Sequence, residues 1–228
     1  MFRNIFCISI LMMLSAGASA SIVMGNTRVI YNAGAREVTI PITNRSRKPV
    51  LVQSWLDNGD ITIIPSATKM PFIIIPPITR VDGGATHTLR LYPVDITTLP
   101  QDRESLMWLN ILDVPMKLPD GENKNRLQVA LQTRVKLFYR PEGLRGNPET
   151  AVQALSWHSS KQGVTVSNSG ARYVSLVSVA TKSGNWPVDM VAPGESRNFP
   201  LPVKAGTPIQ VIWIDDNGAT QVYDAVTK

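Results

Sequence analysis

Cysteine is nearly absent from this 228-residue chain, and the one copy, Cys7, lies among the first ten residues. Disulfides therefore cannot brace the fold, and each core must be large enough to hold by burial alone. Histidine is almost as scarce. His87 and His158 have no partner at metal-ligand spacing, so no metal site is expected. The chain also lacks a Gly-x-Ser-x-Gly elbow and a phosphate-binding glycine loop, which leaves no nucleophile–base set and no cofactor fingerprint. Asp102 and Glu104 lie close in sequence, but Arg103 between them points to ion pairing rather than acid–base work. Sustained helical periodicity is missing as well, and after Leu14 no apolar run is long enough to anchor in a bilayer. An enzyme is not expected.

What is present at the start is a leader. Arg3 supplies a positive end, and Ile5 to Leu14 is apolar apart from Cys7 and Ser9. Ala18-Ser19-Ala20 follows as a small-residue cleavage site. Residues 1–20 are expected to be a secretory signal peptide cut after Ala20, leaving Ser21 first and Cys7 removed. The net charge of +6 falls to +5 once Arg3 leaves with it. A basic protein can bind nucleic acid, but a secreted one has no access to it, so none is expected. Arg45-Ser46-Arg47-Lys48 reads as a solvated hairpin turn.

The body of the chain alternates with a period of two. Strands are expected at Thr27–Tyr31, Glu37–Thr43, Val50–Leu56, Phe72–Ile75, His87–Leu91, Ser105–Val114 and Leu127–Tyr139, with turn signals such as Asn58-Gly59 and Asp82-Gly83-Gly84 between them. Seven strands over this length fit an immunoglobulin-type sandwich. The run from Pro141 to Pro148 is rich in proline and glycine and reads as a linker. Shorter strands resume at Gly163–Val166, Val174–Ala180, Glu195–Phe199, Pro208–Ile214 and Gln221–Val226. The expectation is all-β, with two sandwich domains at 21–141 and 142–228 and a cleft between them. The five scattered tryptophans are assigned to core packing.

Leu127–Tyr139 is about twice the length of a common strand, and it ends in basic residues and a proline. Periodicity alone favours an ordinary core strand. A long strand with a cationic end also suits pairing with another chain's strand beside an anionic terminus.

Two longer motifs resolve this. Leu99-Pro100-Gln101-Asp102-Arg103-Glu104-Ser105, continuing to Leu109-Asn110, resembles the signature of periplasmic chaperones of the chaperone–usher pilus pathway. Leu127–Pro141 resembles the long last strand of their first domain, and Thr27–Tyr31 their first strand. Ile214–Gly218, Val164–Asn168 and Val191–Pro193 are similar to segments of their second domain. The short segment Pro115–Lys124, without a cysteine pair, resembles the short-loop branch.

The resemblance implies a boomerang of two immunoglobulin-like domains that lends a strand to a pilin lacking one, then passes it to an outer-membrane usher without ATP. It implies that Leu127, Val129 and Leu131 are donor residues and that Arg28 and Lys136 grip the pilin's C-terminal carboxylate. Glu104, Arg140 and Asp216 would form a charged trio bridging the domains. In an ideal strand Lys136 points away from the three donors, so twist or a bulge must bring them to one ligand. The exposed donors would need shielding when idle, with self-association through the same strand as one route. The alternative is a secreted structural sandwich such as a fimbrial subunit or adhesin. A pilin usually carries a disulfide and an incomplete single sandwich.

Overall fold

The computed structural model describes residues 21–60, 69–116, 129–144 and 146–228. The leader and Leu127 therefore lie outside the described residues. In the first half the strands are β1 (Ile22–Met24), β2 (Arg28–Asn32), β3 (Val38–Asn44), β4 (Val50–Asp57), β5 (Phe72–Ile75), β6 (Ile78–Val81), β7 (Thr86–Pro93), β8 (Ser105–Pro115) and β9 (Leu131–Arg140). They form two facing sheets, in the orders β1-β3-β7-β5 and β2-β9-β8-β4-β6. Every pairing is antiparallel except β2 with β9.

The second half contains β10 (Ser156–Ser160), β11 (Gly163–Ser167), β12 (Leu176–Thr181), β13 (Gly184–Pro187), β14 (Ser196–Phe199), β15 (Pro208–Ile214) and β16 (Thr220–Val226). Its sheets run β10-β11-β14 and β13-β12-β15-β16. Each half has its own core, which is the architecture that alternating strands without cysteine require. In the first, Tyr31, Ile42, Leu89, Leu91, Leu109, Ile111, Leu137 and Tyr139 are buried. The rings of Tyr31 and Phe72 lie 4.7 Å apart at its centre. In the second, Trp157, Val164, Val166, Val179, Val211 and Trp213 are buried.

Several elements depart from the sequence expectation. β1 and β6 are short, and β6 is mostly exposed, so neither shows a period. Helix α1 (Pro148–Gln153) occupies what reads as the end of a linker. Asn147 caps it: its side chain accepts from the Thr150 N–H, and the Thr150 hydroxyl accepts from the Asn147 N–H. Asn147-Pro148 is a helix-start signal that the linker reading overlooked. The long strand was expected from Leu127, yet β9 begins at Leu131, paired with Asp113 of β8. Val129 precedes the strand: the β8–β9 pairing stops at Asp113 with Leu131, and β2 pairs only with Lys136–Arg140.

The junction between the halves is ionic. The carboxylate of Glu104 is buried and accepts from Arg140 Nε at 2.7 Å, an Arg172 guanidinium nitrogen at 3.1 Å and the Tyr173 N–H at 2.9 Å. Arg140 then forks onto Asp216, with contacts of 2.8 and 3.0 Å. Arg172 also donates to the Gly146 carbonyl, tying in the connecting segment. Burial opposes the charge on Arg140, but hydrogen bonds and attraction from Asp216 and Glu104 outweigh it and raise its pKa.

Replacing Glu104 with alanine leaves two arginines and a backbone N–H without their common acceptor. Removing one partner of a buried pair costs about 3–5 kcal/mol, so Glu104→Ala should melt well below the parent. Small-angle scattering should show a broader spread of interdomain distances. An unchanged melt and an unchanged scattering profile would rule out this carboxylate as the junction's anchor.

Candidate functional site

Arg28 and Lys136 face each other directly. β2 starts at Arg28, and its in-register partner across the parallel pair is Lys136. In-register residues of neighbouring strands share a sheet face. That face looks toward the second half, because Phe138, two residues beyond Lys136, packs on Tyr173 with ring centroids 5.6 Å apart. Arg28 is buried and donates to Ser175 Oγ at 3.2 Å and to the Ile214 carbonyl at 3.1 Å. Its Nε has no hydrogen-bond partner among the described residues. Burial pushes its pKa down, against the pull of Asp216 and Asp215.

Lys136 is half-buried and is also pushed down. Burial is the main cause; the neighbouring Arg28 adds to it, and Asp189 opposes it. Among the described residues neither cation has a carboxylate in salt-bridge contact. Two cations side by side on the floor of a cleft repel each other. An anion placed between them removes that repulsion.

A polar network borders the pair. Arg134 stacks on Trp108, 4.4 Å from the ring centre, and ion-pairs with Asp57. The Lys136 ammonium lies 5.9 Å from the same ring. Asn110 donates to Asp57 and accepts from Gln132 at 2.8 Å. Trp108 therefore lies under two cations rather than in a core, unlike Trp157 and Trp213. The missed signal was the alternation Gln132, Arg134, Lys136 opposite Trp108 and Asn110, which marks a polar face.

The other face of β9 changes character along its length. Val135, Leu137 and Tyr139 are buried in the first core. Leu131 and Val129 continue the same parity, yet they are 44% and 65% exposed. Because β2 pairs only with residues 136–140, the opposite edge of β9 has no strand neighbour over 131–135 among the described residues. The structure thus brings Val129 and Leu131 to an open edge that runs up to the Arg28–Lys136 pair, on the opposite face from it. Glu104, Arg140 and Asp216 meet at the junction beside this pair. Among the described residues no group of three or more His, Cys, Asp or Glu side chains is placed to hold a metal ion.

Residues 21–145 match the family described as pili and flagellar-assembly chaperone, PapD N-terminal domain, and residues 150–225 match the pili assembly chaperone PapD C-terminal domain. The chain is 40% identical over 221 residues to the chaperone protein FimB/FhaD of Bordetella pertussis, covering 93% of this chain and 90% of that one. It is 41% identical over 198 residues to the probable fimbrial chaperone YadV of Escherichia coli, covering 82% and 80%. Among solved structures, the Salmonella enterica SafB chaperone in complex with the SafA pilin superposes with a TM-score of 0.80 at 28% identity, covering 92% of this chain and 98% of that one. Two sandwiches, the cleft between them and matches to both domains of one family in order lead to one conclusion: the chain belongs to the pili assembly chaperone family.

Proposed function

We propose that the chain is a periplasmic, non-catalytic chaperone that holds pilus subunits by lending them the edge of β9 and delivers them to an outer-membrane usher. Its leader is removed after Ala20, its pilin-binding domain spans 21–141 and its second domain 142–228. The observation that carries the reading is an edge of β9 that, among the described residues, has no strand neighbour over 131–135 and ends at two cations with no carboxylate in salt-bridge contact. Donor-strand complementation is already known for this pathway; the geometry of this edge supports one course for it here.

β2 runs parallel to β9 and starts at the cation pair. A strand filling the edge ahead of β2 and ending with its carboxylate at Arg28 and Lys136 must also run parallel to β9. A terminal carboxylate belongs to the backbone and lies near the plane of the sheet. Side chains of one face can therefore grip it while Leu127, Val129 and Leu131 fill a groove from the other face. This answers the parity conflict without a bulge. Each buried donor contributes roughly 1.5–3 kcal/mol. When no subunit is bound, the same apolar edge favours association of the chaperone with a second copy.

Three outcomes test the reading. Arg28→Ala and Lys136→Ala should each weaken pilin capture by about 2–5 kcal/mol without collapsing the melting transition. Normal capture by either variant in a pull-down would sink the clamp.

The second outcome is a pH dependence. The free Lys136 pKa is lowered by burial, whereas a bound carboxylate favours the protonated ammonium. Affinity is then full below the lowered free pKa and falls as pH rises through it toward the pKa of the complex. Titrated binding should show this decline, and Lys136→Arg should flatten it. A parent curve that stays level through the ordinary lysine range speaks against the ammonium as ligand.

The third concerns the edge. Val129→Glu places a charge in a dry groove of the complex but leaves it in solvent in the free chaperone. Capture should be lost with nearly unchanged stability. If the free protein unfolds instead, Val129 belongs to its own core.

A further inference from the structure

Asp113, near the end of β8, is 4% exposed and has no cation in contact among the described residues. The other buried acids are better served. Asp57 has Arg134, Glu104 has Arg140 and Arg172, and Asp215 accepts from the N–H groups of Asn217 and Ala219 and from Gln221. For Asp113 the Ser21 hydroxyl donates to Oδ2 and the Ile22 N–H also donates to the carboxylate. Its Oδ1 has no hydrogen-bond partner among the described residues. Burial pushes its pKa up, and the Ile22 N–H opposes this only in part. A buried carboxylate in this state is costly unless it is neutralised or paired.

Ser21 is also the residue that removal of the leader would expose. Its position is held independently of that cut. β1 pairs with β3 through Ile22 and Asn44, and the Ser21 carbonyl accepts from the Arg45 N–H at 2.7 Å. Cleavage turns the Ser21 amide nitrogen into an amine with a pKa of roughly 7.7–8.0 in reference peptides, largely protonated near neutral pH. Amine and hydroxyl sit on adjacent carbons of the same residue, and the hydroxyl already touches Oδ2.

We infer that Asp113 is the docking site for the mature chain's own N-terminal ammonium, an ion pair that can form only after cleavage behind Ala20. The inference rests on the export reading given above. Asp113 is the register partner of Leu131, the first residue of β9. The pair therefore anchors the end of β8 that pairs with the start of β9. Before cleavage no cation among the described residues touches this carboxyl, so on this inference the event that delivers the chain to its compartment completes the end of the pilin-binding domain.

The test uses the chain beginning at Ser21, released from a tag that leaves no extra residue, beside a form that keeps Ala18-Ser19-Ala20. Each is made with Asp113 and with Asp113→Asn. With Asp113 present, the Ser21 form should melt higher by on the order of 4 °C or more. With Asp113→Asn the two forms should melt together. Equal melting of the two Asp113 forms overturns the inference, and that comparison stands even if Asp113→Asn folds poorly. A difference that persists undiminished in Asp113→Asn also overturns it. The intact mass of protein taken from the periplasm checks the premise separately. A first residue other than Ser21 overturns the proposal through the export reading, whatever the melts show.

Discussion

The carboxylate of Glu104 is the point from which the geometry between the two sandwiches is set. It lies just before β8 and accepts from Arg140, Arg172 and the Tyr173 N–H at once. Arg140 passes the constraint to Asp216, in the turn between β15 and β16. That turn follows Ile214, whose carbonyl accepts from Arg28. A chain of charge-assisted contacts thus runs from the junction to the floor of the cleft. The turn also comes close to β2: a Cβ on Gly218, whose φ is +85°, would sit 2.4 Å from Thr27 Oγ1. Only glycine suits both the left-handed backbone and the close approach. Buried ionic clusters contribute little net stability compared with apolar packing, but they demand one arrangement. Here that arrangement fixes where a pair of cations stands.

The cation pair is a cost that the free protein carries. Arg28 and Lys136 are partners across β2 and β9, both lowered in pKa by burial. Hydrogen bonds to Ser175 and Ile214 serve one, and the Trp108 ring lies near the other. The two apolar cores offset the strain without any disulfide. The Ser175 and Ile214 contacts hold the Arg28 guanidinium in place, and Asp57 holds the neighbouring Arg134 over the Trp108 ring.

How much of this could be read from the sequence depended on the length of each signal. β8 has eleven residues, and its expected range falls one residue short of the observed one. The three residues of β1 are too few to show a period. The expected start at Leu127 lies ahead of the observed one at Leu131 because alternation continues past the last β8–β9 pair, Asp113 with Leu131, and pairing is not written in the strand itself. Arg28, Lys136, Glu104, Arg140 and Asp216 were singled out through family resemblance, not through spacing, since residues 76 positions apart, such as Arg140 and Asp216, carry no local mark of their contact. Arg172 and the Asp57–Arg134 pair were missed for the same reason. Trp108 reads as a core residue in the sequence because an indole ring suits a core and a cation-bearing surface equally well.

The parallel pairing of β2 with β9 has a further consequence on the proposed reading. A strand held only by its backbone can slip, and a slip of one residue turns every side chain to the wrong face. The cation pair stands where β2 begins, so it marks a fixed origin at one end of the open edge. Subunits docked there would be counted backward from their own last residue. They could differ widely in sequence and in length ahead of that strand, yet they would have to agree in which positions, reckoned from the carboxyl end, are apolar. The cleft would then act as a ruler that reads parity rather than identity.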